Sequence, residues 1–244
     1  IQDCTQDMPT QSPSLSPTSS PTLSTSPTSI LTCFDEGEGG RNGVLYNAVR
    51  SYVSQDCANN KECEIGQTYG WPMNSWCVGN VVDMSYLFYE METFNEDISD
   101  WDTSSVTDMS IMFARAKSFN GDVSNFDTSS VTNMYDMFYD ATSFNGDVSN
   151  FDTSSVTSIS ISSMFKGASN FNQNLCSWQD NFPYTAQLDS FPYTATGDIF
   201  DNSNCTYQDT PREWQKGPFC ASDCGSSSMS PSSSSAPTGK PFET

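Results

Sequence analysis

Apolar side chains recur at fixed places every 25 residues through the middle of the chain. The stretch SFNGDVSNFDTSSVTNM at 118–134 returns almost unchanged as SFNGDVSNFDTSSVTSI at 143–159. A period this short is typical of stacked repeats, in which each repeat is one turn of a solenoid. Four units begin at valines, and the last carries two extra residues. The positions that keep register are Val81, Val106, Val131 and Val156; Met84, Met109, Met134 and Ile159; Phe88, Phe113, Phe138 and Phe165; and Phe94, Phe119, Phe144 and Phe171.

Within one unit the apolar spacing predicts two kinds of element. Met109, Met112, Phe113 and Ala116 are three and four residues apart, which predicts a helix of about two turns. The β-branched stretch at 105–107 predicts one strand rung per unit. One unit buries too little apolar surface to offset the entropy of ordering it, so neighbouring units must stack. We therefore predict an α/β solenoid, a short stack of about four 25-residue coils.

The flanks of the repeats differ in composition and define five regions. Apolar residues at 45–53 fall at helical spacing and predict a short amphipathic helix within a disulfide-braced cap. The sequence IFDNSNC at 199–205 echoes the last unit and is expected to close the stack. The predicted regions are an extended Ser/Thr/Pro-rich tail at 1–32, a cysteine-rich N-terminal cap at 33–80, repeats at 81–182, a C-terminal cap with disulfides at 183–224 and a Ser/Pro-rich tail at 225–244.

The first tail contains a four-residue repeat that is marked by prolines at 9, 13, 17 and 21. Such a composition favours extended polyproline II, and it is also that of a disordered linker. We predict that residues 9–28 run extended, carry O-linked sugars and contact a neighbouring copy of the chain. The O-glycosylation candidates are Ser12, Ser14, Ser16, Thr18, Thr22 and Thr28.

The nine cysteines show no paired zinc-site spacing, so we interpret them as disulfides. Disulfides predict an oxidising compartment, and hence a secreted protein that is extracellular or on a cell surface. Cys176 and Cys205 are expected to pair and to lock the closing half-unit onto the last coil. Because the count is odd, Cys4 is the candidate for an intermolecular disulfide. The other disulfide candidates are Cys33, Cys57, Cys63, Cys77, Cys220 and Cys224.

Charge and residue inventory argue against several classes of function. Thirty acidic residues against nine basic ones give a formal charge of −21, without a basic cluster for nucleic acid or anionic membranes. Histidine is absent, which removes the commonest general base and the Ser-His and Cys-His pairs of hydrolases. No apolar run is long enough to predict membrane insertion. We expect no enzymatic activity and no cofactor apart from covalent glycans.

Polar side chains also recur once per unit. Asp97, Asp122 and Asp147 are weak candidates for a Ca²⁺ site, since stacked carboxylates and carbonyl oxygens suit that ion. A second aspartate column, Asp102, Asp127 and Asp152, could contribute to such a site, and the alternative is that Asp102 and its equivalents accept backbone N–H groups in turns. Asn204, in Asn-Cys-Thr, is the candidate for N-glycosylation. Asparagines that are expected to satisfy turn backbone are Asn95, Asn120, Asn145 and Asn172.

Four tyrosines flank the Met-Phe motif of the repeats: Tyr86, Tyr89, Tyr135 and Tyr139. An exposed stripe of aromatic rings could stack on sugars or receive a neighbouring subunit, whereas a partly buried stripe is ordinary packing. The tyrosines are therefore the candidate binding face.

The repeat consensus F-N-x-D-[VI]-S-x-[WF]-D-T-S-S-V-T-x-M-x-x-M-F, matched in full by Phe119 to Phe138, resembles the BspA-like leucine-rich repeats of bacterial and algal surface proteins. The resemblance spans about Val81 to Trp178. It implies a right-handed solenoid, an extracellular setting and a role in adhesion or surface structure. It implies no catalytic residue.

These observations predict a secreted, non-enzymatic structural protein, namely a glycosylated subunit that self-associates into an extracellular filament or surface layer. The alternative is an adhesin or recognition module that binds a glycan or protein on the repeat face.

Overall fold

The computed structural model of the chain describes residues 32–157, 160–184, 199–209, 211, 217 and 219–224. Two α-helices, α1 (Val44–Ser54) and α2 (Glu64–Tyr69), lie before the repeats. Three single-turn 3-10 helices lie at Glu36–Glu38, Met73–Ser75 and Cys176–Trp178. Within these ranges there is no β-strand, and pairing is limited to isolated bridges.

Helix α1 confirms the amphipathic helix that the spacing predicts. Its face of Leu45, Ala48, Val49 and Tyr52 is buried, with at most 4% of any of these residues exposed. Apolar residues at these intervals share one side of a helix, so burial of that side stabilises it against the rest of the cap. The helix ends before Asp56, whose positive φ of 52° is incompatible with further helical turns.

The predicted α/β solenoid class, a right-handed leucine-rich-repeat-like stack of about four coils, is wrong. The described part of the repeat region consists of successive turns, without the strand and helix that each coil was expected to contain. At 105–107 no strand rung forms. Neighbouring repeats instead meet at single-residue parallel bridges, from Asp83 to Asp108 and from Asp108 to Asn133.

The two-turn helix predicted from Met109 to Ala116 is also absent, and the backbone shows why. Ile111 and Arg115 have φ of 59° and 60°, which interrupts any α-helix. Alternate amides, at 109, 111, 113 and 115, donate to carbonyls 24 residues later at 2.7–2.9 Å. The backbone amides of residues 112, 114 and 116 each donate to the carbonyl three residues earlier. Apolar residues three and four apart thus face inward from a chain of turns.

Two columns of phenylalanine rings form the core of the repeats. In the first column, successive ring centroids are 5.1–5.9 Å apart; in the second they are 5.8–5.9 Å apart. Paired rings of the two columns lie 3.9–4.2 Å from each other. The columns are Phe88, Phe113, Phe138, Phe165 and Phe200, and Phe94, Phe119, Phe144 and Phe171, all at most 2% exposed. The stacked rings join the interior of each repeat to the next.

The segment at 199–205 covers the last repeat, as its sequence echo predicts. The amide of Phe165 donates to Ile199 O at 2.9 Å, and that of Gly167 donates to Asp201 O at 2.8 Å. Phe200 stacks on Phe165. The closing segment thereby satisfies backbone donors and covers an aromatic ring at the end of the column.

Among the described residues, four disulfides brace the two flanks. Cys33–Cys77 and Cys57–Cys63 lie before the repeats, Cys176–Cys224 joins the end of the last repeat to the C-terminal cap, and Cys205–Cys220 lies within that cap. The predicted Cys176–Cys205 bond is therefore wrong. An antiparallel bridge between Tyr207 and Cys220 brings Cys220 beside buried Cys205, while half-buried Cys176 meets Cys224. Sequence distance could not choose between these pairings.

Several predicted features lie outside the described residues: Cys4, the six O-glycosylation candidates, nearly all of the 1–32 tail and the whole 225–244 tail. In the part of the chain that is described, no helix is both long and apolar enough to cross a membrane. The four disulfides fit a secreted or extracellular protein.

Phe138→Ala should destabilise the protein far more than Tyr135→Ala. Phe138 is fully buried between two stacked neighbours, whereas Tyr135 is 40% exposed. We expect a loss of about 3–5 kcal/mol in the free energy of unfolding for Phe138→Ala, and less than about 1 kcal/mol for Tyr135→Ala. Denaturant unfolding monitored by fluorescence measures both. Equal losses would contradict the inward position of Phe138.

Digestion of the non-reduced protein should release peptides that join Cys176 to Cys224 and Cys205 to Cys220. Their Cα atoms lie 5.3 and 4.5 Å apart, which is within reach of a disulfide. Mass spectrometry identifies the joined peptides. A peptide that joins Cys176 to Cys205 would refute this connectivity.

Candidate recognition groove

A groove of about 510 Å³ runs along one side of the repeats. All four tyrosines of the predicted binding face line it. We call it the tyrosine groove and define it by Arg41, Tyr86, Tyr89, Ile111, Ala114, Arg115, Tyr135, Asp136, Tyr139, Ser163 and Lys166. The tyrosines are three to fifty-three residues apart in sequence, so the packing of repeats is what brings them to one surface.

One row of the groove comes from a position at which every repeat has a left-handed backbone. Tyr86, Ile111, Asp136 and Ser163 occupy equivalent places and have φ of 54–62°. Such a conformation costs non-glycine residues on the order of 1–3 kcal/mol, and β-branched side chains adopt it least readily. Ile111 is therefore the most strained member of the row. The amides of Tyr86, Ile111 and Asp136 each donate to a carbonyl of the next repeat, at 3.0, 2.8 and 3.2 Å, which holds the row in place.

A second row has one small side chain between two large aromatic ones. Tyr89, Ala114, Tyr139 and Lys166 occupy equivalent places in the four repeats. Ala114 is buried, so it leaves a gap between the rings on either side. Tyr89 and Tyr139 are two repeats apart, about 10 Å if each repeat adds the spacing of hydrogen-bonded chains. The row therefore presents two aromatic side chains with a shallow floor between them.

Three cationic side chains line this groove, although the chain is strongly acidic. They are three of the six basic residues in the described ranges. Arg41 lies over the ring of Tyr86, 5.0 Å from its centroid. Arg115 contacts Glu90 at 2.7 Å, and Lys166 contacts Asp201 at 3.3 Å. The Arg115–Glu90 pair is exposed, and exposed pairs contribute little stability, so a ligand can compete for the Arg115 donors.

Neighbouring carboxylates raise the pKa of two phenols of the groove, those of Tyr89 and Tyr135. A hydrogen bond with Glu90 raises the pKa of Tyr89, and the same hydrogen bond, with a further one from Arg115, lowers the pKa of Glu90. The charge of Asp136 raises the pKa of Tyr135, and burial adds to this. Protonated phenols and cations donate hydrogen bonds, so the lining is rich in donors.

Asp136 is the one carboxylate among the described lining residues. Burial raises its pKa above the ordinary value of 3.8, although a hydrogen bond with Tyr135 and the charge of Lys166 act in the opposite direction. Its Oδ1 atom is buried and accepts no hydrogen bond from the described part of the chain. A buried acceptor without a hydrogen bond destabilises the folded protein, and a ligand that donated a hydrogen bond to it would remove that destabilisation.

The aspartates that are weak Ca²⁺ candidates accept hydrogen bonds within their own turns. Each accepts the amide of the serine two residues later, at 3.0, 2.9 and 2.8 Å for Asp97, Asp122 and Asp147. The Ser124 amide and hydroxyl lower the pKa of Asp122. No cluster of three or more Asp, Glu, Cys or His side chains that could hold a metal ion occurs within the described ranges. Asp102, Asp127 and Asp152, for which the turn role was the alternative interpretation, accept the amide of the serine two residues later at 3.0, 2.9 and 2.8 Å. The Ca²⁺ site at Asp97, Asp122 and Asp147 stays a prediction.

The asparagine column links neighbouring repeats at the surface. The Oδ1 atom of each accepts the backbone amide of the next at 2.8–2.9 Å, from Asn95 through Asn120 and Asn145 to Asn172. All four are exposed, so the column is not internal as a buried ladder would be. Asn204, the N-glycosylation candidate, is also exposed and is adjacent to disulfide-bonded Cys205.

Sequence reasoning found the tyrosines of the groove but missed Arg41, Arg115, Lys166 and Asp136. A signal for the last three was present, because the repeats differ at these positions although their apolar positions agree. Positions that vary while the apolar positions repeat are not fixed by the stacked phenylalanine core, so their side chains can serve another role. Arg41 had no such signal, since it belongs to the cap.

Residues 60–178, just under half of the chain, match the model of a family described as "Mycoplasma protein of unknown function, DUF285". The matched part includes all four tyrosines of the groove and most of the repeat region. No curated protein and no solved structure matches the chain significantly.

Asp136→Asn should stabilise the protein at neutral pH. The pKa of Asp136 is raised in the folded protein, so as pH rises above 3.8 this residue ionises first in the unfolded chain. The free energy of unfolding of the unsubstituted protein therefore falls with rising pH until the folded pKa of Asp136 is passed. The variant avoids this loss, so its advantage should disappear toward about pH 3. Urea unfolding of both proteins from about pH 3 to neutral pH measures the difference between their free energies of unfolding.

Asp140→Asn is the matched control, since it removes the same charge from another left-handed position of the same repeat. An advantage of Asp136→Asn that does not depend on pH would show that burial of its charge is not the cause.

Proposed function

We propose that this chain is a secreted, non-enzymatic recognition module, and that the tyrosine groove is its binding surface. The observation that carries the proposal is the convergence of four tyrosines and three cationic side chains on one groove of an acidic protein. Tyrosine is favoured at recognition surfaces because one side chain supplies both a flat apolar ring and a hydroxyl.

The shape of the groove supports an extended ligand. Its lining comes from four successive repeats and from the cap, so the surface is long in the direction in which the repeats are stacked. A ligand that lies along the second row would meet Tyr89, the floor at Ala114 and then Tyr139. Polymer chains suit such a surface better than a compact small molecule, since each ring can contact a successive unit of the polymer.

The residue types at the left-handed positions also support a binding role. The repeat backbone has a positive φ at this position in every repeat, but asparagine or glycine adopts it more easily than isoleucine or tyrosine. The presence of Ile111 and Tyr86 there is consistent with retention of these side chains for contact with a ligand.

Catalysis is not part of the proposal. Glycoside hydrolysis requires a pair of carboxylic acids across the substrate, whereas Asp136 is the one carboxylate among the described residues of the lining. The extracellular setting is supported by the disulfides and by the resemblance of the repeat motif to BspA-like surface proteins.

The glycosylated filament or surface layer, predicted from the Ser/Thr/Pro tails, stays a prediction about residues outside the described ranges. It is compatible with a recognition module if the ligand of the groove belongs to another subunit.

An array that carries neutral oligosaccharides, acidic oligosaccharides and Ser/Thr/Pro peptides tests the proposal. The full chain should bind at least one of these classes. The double variant Tyr89→Ala/Tyr139→Ala should bind that class about tenfold more weakly or worse, because it removes both rings of the second row. Tyr207→Ala is the control, since Tyr207 is a half-buried tyrosine outside the groove. Equal loss in both variants, or no binding by the full chain, would refute the proposal.

A further inference from the structure

We propose that the ligand of the tyrosine groove is the proline-rich segment 9–24 of a second copy of this chain. The inference rests on the proposed function and names its ligand. Segment 9–24 reads PTQSPSLSPTSSPTLS, with proline at every fourth position. Three features of the groove and the segment lead to this choice: hydrogen-bonding character, spacing and charge.

The hydrogen-bonding character of the two surfaces is complementary. Tyrosine hydroxyls and the side chains of Arg41, Arg115 and Lys166 supply many donors, while Asp136 is the single carboxylate acceptor among the described lining residues. A proline-rich chain in polyproline II has the opposite character, because its carbonyls have no internal partners and proline has no N–H. Aromatic-lined grooves recognise such chains for this reason, and the extended conformation loses little entropy on binding.

The spacing of the second row fits one turn of such a chain. Polyproline II has three residues per turn and rises about 3.1 Å per residue, so residues on one side are about 9.3 Å apart. Tyr89 and Tyr139 are two repeats apart, about 10 Å by the spacing of hydrogen-bonded chains. The match is with every third residue, so a proline of the four-residue repeat at one ring is followed, one turn later, by serine at the other ring.

Charge favours the two uncharged tail segments of a second copy, residues 8–32 and 225–239, of which only the first has proline at every fourth position. Residues 8–32 contain no charged side chain, whereas the whole chain has a formal charge of −21. Two copies repel each other through their acidic surfaces, and a neutral segment can approach without this cost. The cations of the groove then serve as hydrogen-bond donors to carbonyl oxygens.

The length of the segment allows it to reach the groove of a second copy. Sixteen residues of polyproline II span about 50 Å, whereas four repeats at about 4.8 Å each span about 20 Å. Seven further residues separate Ser24 from Thr32, the first described residue. Most of the segment can therefore reach beyond its own repeats, and binding to the groove of another copy would link the copies in series.

Photo-crosslinking in the full chain tests the inference. Ser16 is replaced by the photoreactive residue p-benzoylphenylalanine, and equal amounts of ¹⁴N- and ¹⁵N-labelled chains are mixed and irradiated. We expect crosslinked peptides that join residue 16 to the peptides containing Tyr89 or Tyr139, with one partner of each isotope. The double variant Tyr89→Ala/Tyr139→Ala should lower their yield about tenfold, and Tyr207→Ala should leave it unchanged. The same photoreactive residue at Ser228, in the other Ser-rich tail, should give no groove crosslink.

The outcomes separate this inference from the proposed function. Three results would each overturn the inference. They are crosslinks within one isotope only, crosslinks elsewhere on the protein, and a crosslink yield that does not change in the double variant. If the double variant still loses binding to oligosaccharides on the array, the recognition function stands and the ligand is a glycan. If neither array binding nor crosslinking depends on Tyr89 and Tyr139, both proposals fail.

Discussion

The structure of the repeats depends on hydrogen bonds between alternate backbone amides and the carbonyls of the next repeat. Amides 84, 86, 88 and 90 donate to carbonyls 108, 110, 112 and 114, and later repeats continue the pattern. The intervening amides are used within the repeat, so almost every donor of these turns has a partner without a helix or a strand. This arrangement requires residues with positive φ at regular intervals, and it brings the phenylalanine rings into stacked columns.

The groove follows from the same backbone. Each repeat places two left-handed residues on the surface, and in successive repeats these positions lie side by side. The interior positions repeat almost without change because each ring must fit against its neighbours. Surface positions are free of that requirement, so tyrosine, isoleucine, aspartate and arginine can differ from one repeat to the next. The repeats thereby combine a uniform core with a varied binding surface.

Part of this site could be predicted, and the limits have physical causes. The tyrosines were found because they stand beside the Met-Phe motif, and aromatic residues with no core position suggest recognition. Arg41 was missed because it is contributed by the cap, whose placement against the first repeat depends on contacts such as Gly40 N to Asp83 O. The raised pKa of Asp136 depends on burial, which no local sequence pattern reports.

By itself, the sequence determined the period of the repeats, the inward phenylalanines, helix α1, the closing segment at 199–205 and the acidic, cysteine-rich character of the chain. Only the tertiary structure decided the path of the backbone and the pairing of the cysteines. Apolar residues three and four apart satisfy a helix and a chain of turns equally well, so periodicity predicted a helix where none forms. The choice was made by hydrogen bonds 24 residues apart along the chain and by the antiparallel bridge that places Cys220 beside Cys205, because such contacts exist only when distant parts of the chain have come together.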